Sequence, residues 1–164
     1  MLDELHNIRC VTPGNGPTEL VIDWDDDTRT TVDLAGVIAR LKAFAPLAEP
    51  ALFRKARVID YGAGIEWPGG LDYSADSLRL IGEEQRAMTN AEFRSWQGSL
   101  ELNVPEAAAL LGFSPRTIKS YRADGAIPKA VSVFCRFTLR DPTVFRAHYR
   151  PVGKPRRGRP RKSA

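Results

Sequence analysis

Three cations and two hydroxyls, Arg116, Thr117, Lys119, Ser120 and Arg122, fall within seven consecutive positions of a 164-residue chain. No carboxylate lies among them, and only Ile118 and Tyr121 interrupt them with large apolar groups. Such a set offers hydrogen-bond donors and positive charge, with no base to activate a nucleophile. It suits an anion or an array of acceptor atoms. A guanidinium engages two in-plane acceptors at once, and a lysine ammonium acts as a point charge. A second basic set, Arg157, Gly158, Arg159 and Pro160, lies inside KPRRGRPRK near the C-terminus. Other chemistry is sparse. His6 and His148 have no ligand spacing around them, and Asp25-Asp26-Asp27 reads as a charged hairpin turn rather than a metal site. YGAGIEWPGG is rich in glycine but lacks the lysine of a phosphate loop. No Ser/His/Asp or Cys/His arrangement emerges. We therefore expect no catalytic residues, no metal ligands and no cofactor.

The elements that would carry the first set can be read around it. Ile118 and Tyr121, three apart, define an inward face and leave Pro115, Arg116, Thr117, Lys119, Ser120 and Arg122 outward. Ser114 is a strong N-cap, and Pro115 sits at the first helical position, where its missing amide costs nothing. Asp124-Gly125 stops the helix. Upstream, a helix over 104–111 carries Ala107, Ala108 and Leu111 on one face, and Gly112 suits the left-handed position that ends it. Phe113 is expected to plug the angle between the two helices. An earlier helix over 90–101, capped by Thr89 or Asn90, aligns Phe93, Trp96, Gln97 and Leu100. A later one starts near Pro128, with Val131, Phe134 and Cys135 apolar.

On Ala108, Gly112 and Ile118 this stretch resembles the helix-turn-helix of phage-repressor-like proteins, over about residues 90–139. The resemblance implies a lambda-repressor-like, all-α domain whose second helix enters the major groove of double-stranded DNA by its N-terminal part. Arg116 is then the candidate for a bidentate contact to guanine O6 and N7, and Thr117 and Ser120 for bases or phosphates. Lys119 and Arg122 are candidates for phosphates, which position the protein without specifying sequence. One such helix reads few base pairs, so a homodimer on a palindrome is expected.

The first half reads differently. Leu20, Ile22 and Trp24, then Thr30, Val32 and Leu34, alternate with a period of two on either side of the three aspartates, a hairpin pattern. A helical spacing runs from Val37 to Phe44. A second hairpin takes the strand 56–61 through Gly62-Ala63-Gly64 into 65–67 and ends at Pro68-Gly69-Gly70. Ser74 caps a short helix through Leu80. VIDWDDDTRTTVDL, PALFRKARV and IEWPGGLDYSADSL resemble a bacterial family of uncharacterised small α+β domains over about residues 7–81. The family usually has glycine where this chain has Asp27-Thr28. Its members occur alone, beside toxin–antitoxin-like genes, or fused to a C-terminal helix-turn-helix. The fold class expected is α+β: a small antiparallel sheet domain with short helices at 1–84, then a helix-turn-helix domain at 89–149 and a basic tail at 150–164.

Charge divides along the same lines. Residues 1–88 carry net −6, residues 89–149 net +3 and residues 150–164 net +7. The gradient points to a polyanion for the C-terminal part and against one for the N-terminal part. Within the tail, Arg157-Gly158-Arg159-Pro160 resembles an AT-hook, a peptide that lies in the narrow minor groove of A-tracts. The alternative is an unspecific polybasic tail. The function expected is a DNA-binding transcriptional regulator. The alternative is an antitoxin-like module that binds a protein partner through its acidic N-terminal domain. MLDELHNIRC lacks the order of a signal peptide, and no apolar run approaches the roughly 18 residues of a membrane helix. A cytoplasmic protein with no membrane contact is expected, in which Cys10 and Cys135 are reduced, packed thiols.

Overall fold

The computed structural model describes residues 6–152. The chain is α+β and divides into two compact units at 86/87. In the first unit, strands β1 (Ile8–Pro13), β2 (Glu19–Trp24) and β3 (Arg29–Asp33) form an antiparallel meander. Alternation along β2 buries Leu20, Ile22 and Trp24, and the register sets Leu20 opposite Val32 and Ile22 opposite Thr30. The pattern left β1 unread because Ile8 is its sole fully buried residue and a bulge between Ile8 and Cys10 breaks the period of two. Between β2 and β3 the turn closes on three residues. Trp24 N–H donates to Thr28 O, and Asp27 takes φ 62. This is the left-handed position usually given to glycine, and aspartate is one of the few other residues that tolerates it. Arg9 donates to the Asp27 carboxylate at 2.8 Å.

Helix α1 (Ala35–Arg40), a 3-10 turn (Lys42–Ala48) and α2 (Pro50–Phe53) lead to a second sheet of β4 (Arg57–Ile59), β5 (Gly64–Trp67) and β6 (Leu71–Ser74). The expected strand over 56–61 stops at Ile59, because Asp60 and Tyr61 adopt φ of 49 and 56 and wind into a 3-10 turn. Pro68-Gly69-Gly70 is a turn into β6, not an end. Helix α3 (Ala75–Gln85) starts as expected, with Ser74 Oγ accepting from Ser77 N–H, but runs past Leu80. The extension has a cause. Gln85 accepts from the Asp33 N–H at 2.8 Å and donates to the Asp33 carbonyl at 2.7 Å, so the last turn is pinned to β3. Gly82 lets the helix approach this closely, since a Cβ there would lie 2.2 Å from Thr30 Cγ2. The core gathers Leu20, Ile22, Trp24, Leu47, Phe53, Ile65, Trp67 and Leu78.

The second unit is helical: α4 (Asn90–Ser99), α5 (Val104–Leu111), α6 (Pro115–Ala123), α7 (Lys129–Arg140) and α8 (Pro142–His148). Thr89 with Glu92, and Asn103 with Glu106, form capping boxes at α4 and α5. Phe93, Trp96, Ala107, Ala108, Ile118, Tyr121, Val131 and Cys135 fill its core. Leu110 is more deeply buried than the expected Leu111. Helix α8, which the pattern did not reveal, closes on α7 through half-buried Phe145, and Tyr149 Oη donates to Glu106 at 2.9 Å. That bond holds the Glu106 carboxyl below and the Tyr149 phenol above their ordinary values, after the Asn103 backbone bond in the first case. Cys135 is buried, and burial pushes its thiol up to about 12, whereas Cys10 is exposed on β1. The expectation of a packed thiol thus fails for Cys10, whose strand turns it outward.

Two helix ends share one geometry. At α4, Leu102 N–H donates to Gln97 O and Glu101 N–H to Gly98 O, with Glu101 at φ 53. At α5, Gly112 takes φ 72 and Phe113 N–H donates to Ala108 O. A left-handed residue costs about 1–2 kcal/mol with a side chain and little as glycine. Glu101→Gly is therefore expected to raise unfolding free energy by about 0.5–1 kcal/mol, and Gly112→Ala to lower it by about 1 kcal/mol. Urea denaturation checks both, and a Gly112→Ala protein as stable as the parent would refute the assignment.

The cysteines give a second expectation. Iodoacetamide at pH 8 should label Cys10 in the native protein and both thiols after denaturation. Above the ordinary thiol value of 9.0 the unfolded chain loses the Cys135 proton while the native chain keeps it to about 12. The unfolded state then binds fewer protons, so this group lowers stability as pH rises through that window. A Cys135→Ala variant should show a shallower alkaline decline.

Candidate nucleic-acid interface

The site is built on α6. Ser114 Oγ accepts the Thr117 N–H at 3.2 Å, and Pro115 occupies the first helical position. Ile118 and Tyr121 turn inward at 0% and 7% exposure, which fixes the helix rotation and sends Pro115, Arg116, Lys119 and Ser120 outward. Among the described residues, Arg116 and Lys119 have no hydrogen bond or ion pair, so their donors are free for a ligand. Thr117 is half-buried, with its hydroxyl 3.0 Å from Ser114 Oγ within the cap. Ser120 sits on the outward face, with Oγ against Gly125.

Arg122 behaves differently from the other members of the set. Its guanidinium is half-buried and donates to Gln97 Oε1 at 2.7 Å. Gln97 is buried and uses its amide group to donate to Leu102 O at 2.8 Å. Two further side chains of α4 reach the C-terminal end of α6. Asn90 Nδ2 donates to the carbonyls of Tyr121 and Gly125, each at 2.8 Å, and Arg94 donates to the Arg122 carbonyl. The Tyr121 and Arg122 carbonyls are among the orphan acceptors that every helix leaves at its end, and Gly125 lies just past it. Asn90, Arg94 and Gln97 lie at i, i+4 and i+7, one polar stripe along α4. On sequence alone Asn90 is, with Thr89, a candidate cap, and Gln97 belongs to an apolar stripe. The spacing was visible, but its partner was not. The expected outward placement of Arg122 is corrected, because its guanidinium is half-buried and drawn back onto α4. Phe113 is corrected too. It does not plug the helix angle but stands 40% exposed, its ring edge-on to Tyr121.

Arg157, Gly158, Arg159 and Pro160 lie outside the described residues. In the first unit, His6 is not isolated. Its Nδ1 is 3.5 Å from Asp26 and 3.9 Å from Asp25, and one ligand atom from each of the three lies within 4.8 Å of the others. Asp26 is already committed. It accepts from the Thr28 hydroxyl and amide and from Arg79 at 2.9 Å, and these bonds hold its carboxyl far below the usual range. Arg79 in turn lies over the Trp24 ring at 4.9 Å. The cluster thus works as a brace across the hairpin turn. No described helix is long and apolar enough to cross a membrane.

An α+β unit followed by a helical unit is the class that the fold defines. Residues 8–82 match the family described as "Protein of unknown function (DUF2442)". That span holds both sheets and most of α3. Among curated proteins nothing matches. A solved structure from Nitrosomonas europaea, described as a "Putative DNA Binding Protein", is 22% identical, covers 85% of this chain and 91% of its own, and has a TM-score of 0.46. A likeness at that level does not carry a function.

The polar seam makes a stability expectation. Asn90→Ala strips the donor from two carbonyls, and Arg122→Ala leaves the buried Gln97 oxygen unpaired, each costing about 1–3 kcal/mol. Lys119→Ala should change the urea midpoint negligibly. Equal effects for Arg122→Ala and Lys119→Ala would overturn the division of α6 into a tied side and an outward side.

Proposed function

We propose that this chain is a DNA-binding protein that regulates transcription, with α5 and α6 as a helix-turn-helix and α6 as the helix that enters the major groove. The observation that carries the reading is the uncommitted pair Arg116 and Lys119. Both project from the exposed face of a helix whose opposite face and C-terminal end are fixed. Support comes from the three-residue turn, Gly112-Phe113-Ser114, which sets two short helices at the spacing this motif uses. Arg116, near the N-terminus, is assigned to guanine O6 and N7. Lys119 and Ser120 are assigned to phosphates or base edges farther along, and Pro115 and Thr117 shape the leading turn. The net +7 of residues 150–164 adds salt-dependent phosphate contacts. Reading a palindrome would take two copies.

The test uses the full chain and duplexes selected from a random pool. Arg116→Ala is expected to weaken binding by about 1–3 kcal/mol and to relax preference at one base pair. Lys119→Ala should weaken all sequences alike and reduce the salt slope by about 1. Deleting residues 150–164 should lower affinity while leaving the selected sequence intact. Unchanged binding by Arg116→Ala, measured by fluorescence anisotropy, would rule out this face.

A further inference from the structure

We propose that Phe113 is a specificity-determining residue of the same surface, an apolar contact for the 5-methyl group of a thymine in the duplex. The inference rests on α6 being the groove-reading helix. Phe113 directly precedes the capping Ser114, so its ring sits at the end of α6 that would go deepest toward bases. It is 40% exposed, and the polar side chains exposed on the helix that follows it are Arg116, Lys119 and Ser120.

The ring cannot retreat. It meets Tyr121 edge-on, with centroids 5.9 Å apart and planes at 84°. Tyr121 meets Phe93 edge-on at 5.6 Å, and Phe93 meets Trp96 at 5.2 Å. The space beneath Phe113 is therefore filled by a chain of rings that ends in the core. Its backbone is fixed as well, by the left-handed Gly112 and by the bond from Phe113 N–H to Ala108 O at 2.9 Å. A rigid, half-exposed aromatic is an anchor that loses little side-chain entropy when covered.

The duplex offers few groups that such a ring could cover. Major-groove base edges present donors and acceptors, and the thymine methyl is their apolar feature; phenylalanine is one of the side chains suited to it. Neither a phosphate nor a guanine edge gains from an apolar neighbour. Arg116 and Phe113 would thus supply two different chemistries at one end of α6, one for a G·C pair and one for an A·T pair.

Replacing single thymines of a selected site by deoxyuridine removes the methyl and nothing else. Burial of one methyl predicts that wild-type affinity falls about threefold to fivefold at one thymine. In Phe113→Ala that loss should shrink below about 1.5-fold, and Phe113→Leu should retain most of it. Thermal melting of both variants separates a folding defect from a contact defect, and Phe113→Leu keeps the test informative if the alanine variant unfolds. A selected site without thymine, a wild type indifferent to deoxyuridine at every position, or an equal loss in Phe113→Ala would overturn the proposal while leaving the reading of α6 standing. Absence of any duplex binding by the wild type would overturn both.

Discussion

The stripe of Asn90, Arg94 and Gln97 holds the C-terminal end of α6, and the helical unit depends on that grip. A nine-residue helix has too little surface to be oriented by burial alone. Ile118 and Tyr121 anchor it to the core, but two points leave it free to swivel about the line between them. Four hydrogen bonds with α4 remove that freedom: Asn90 and Arg94 donate to the carbonyls of Tyr121, Arg122 and, just past the helix, Gly125, and Arg122 donates back to Gln97. The result is an asymmetric helix, with one end locked by its neighbour and the other open at Ser114, Pro115 and Arg116. Basic charge is sorted by the same arrangement. Arg94 and Arg122 each donate to a group of the neighbouring helix, whereas Arg116 and Lys119 make no hydrogen bond or ion pair among the described residues.

The first unit handles its charge in another way. Its sequence is rich in carboxylates, yet many are paired with arginine: Asp23 with Arg29, Asp26 with Arg79, Asp27 with Arg9 and Glu66 with Arg57. Isolated surface pairs contribute little. Here three of them crowd one hairpin, and Arg79 adds a stacked contact on Trp24, so the turn is braced from several sides at once. That brace explains how a chain with aspartate at the left-handed position of the turn keeps the shape that glycine would give more easily.

Much of the architecture was legible, and the failures have physical reasons. Strand β2 was readable because three large residues alternate without interruption, and α6 because its cap, first-turn proline and inner face all agree. Strands β1 and β6 were not, since a bulge disrupts one and the other is four residues long with half-buried apolar groups. The end of α3 depends on Gln85 meeting Asp33, 52 residues away, which no local pattern contains. Within the candidate site, outwardness was legible for Arg116 and Lys119 from helical spacing alone. Arg122 was misread because only the partner helix decides whether a cation on the flank turns to solvent or inward. Phe113 was misread because an aromatic beside a turn suggests a plug, and Tyr121 already fills that space.

The clasp of Gln85 on Asp33 bears on how this unit coexists with copies of itself. Strand β3 is an edge of its sheet, and an edge with open backbone groups invites strands from other molecules. At Asp33 the amide and carbonyl are both occupied by one glutamine side chain, which imitates the hydrogen-bonding of a neighbouring strand without being one. An incoming strand would have to displace it there and push aside the last turn of α3. The side-chain amide thus acts as a stopper that discourages strand exchange and edge-to-edge aggregation at the end of the sheet.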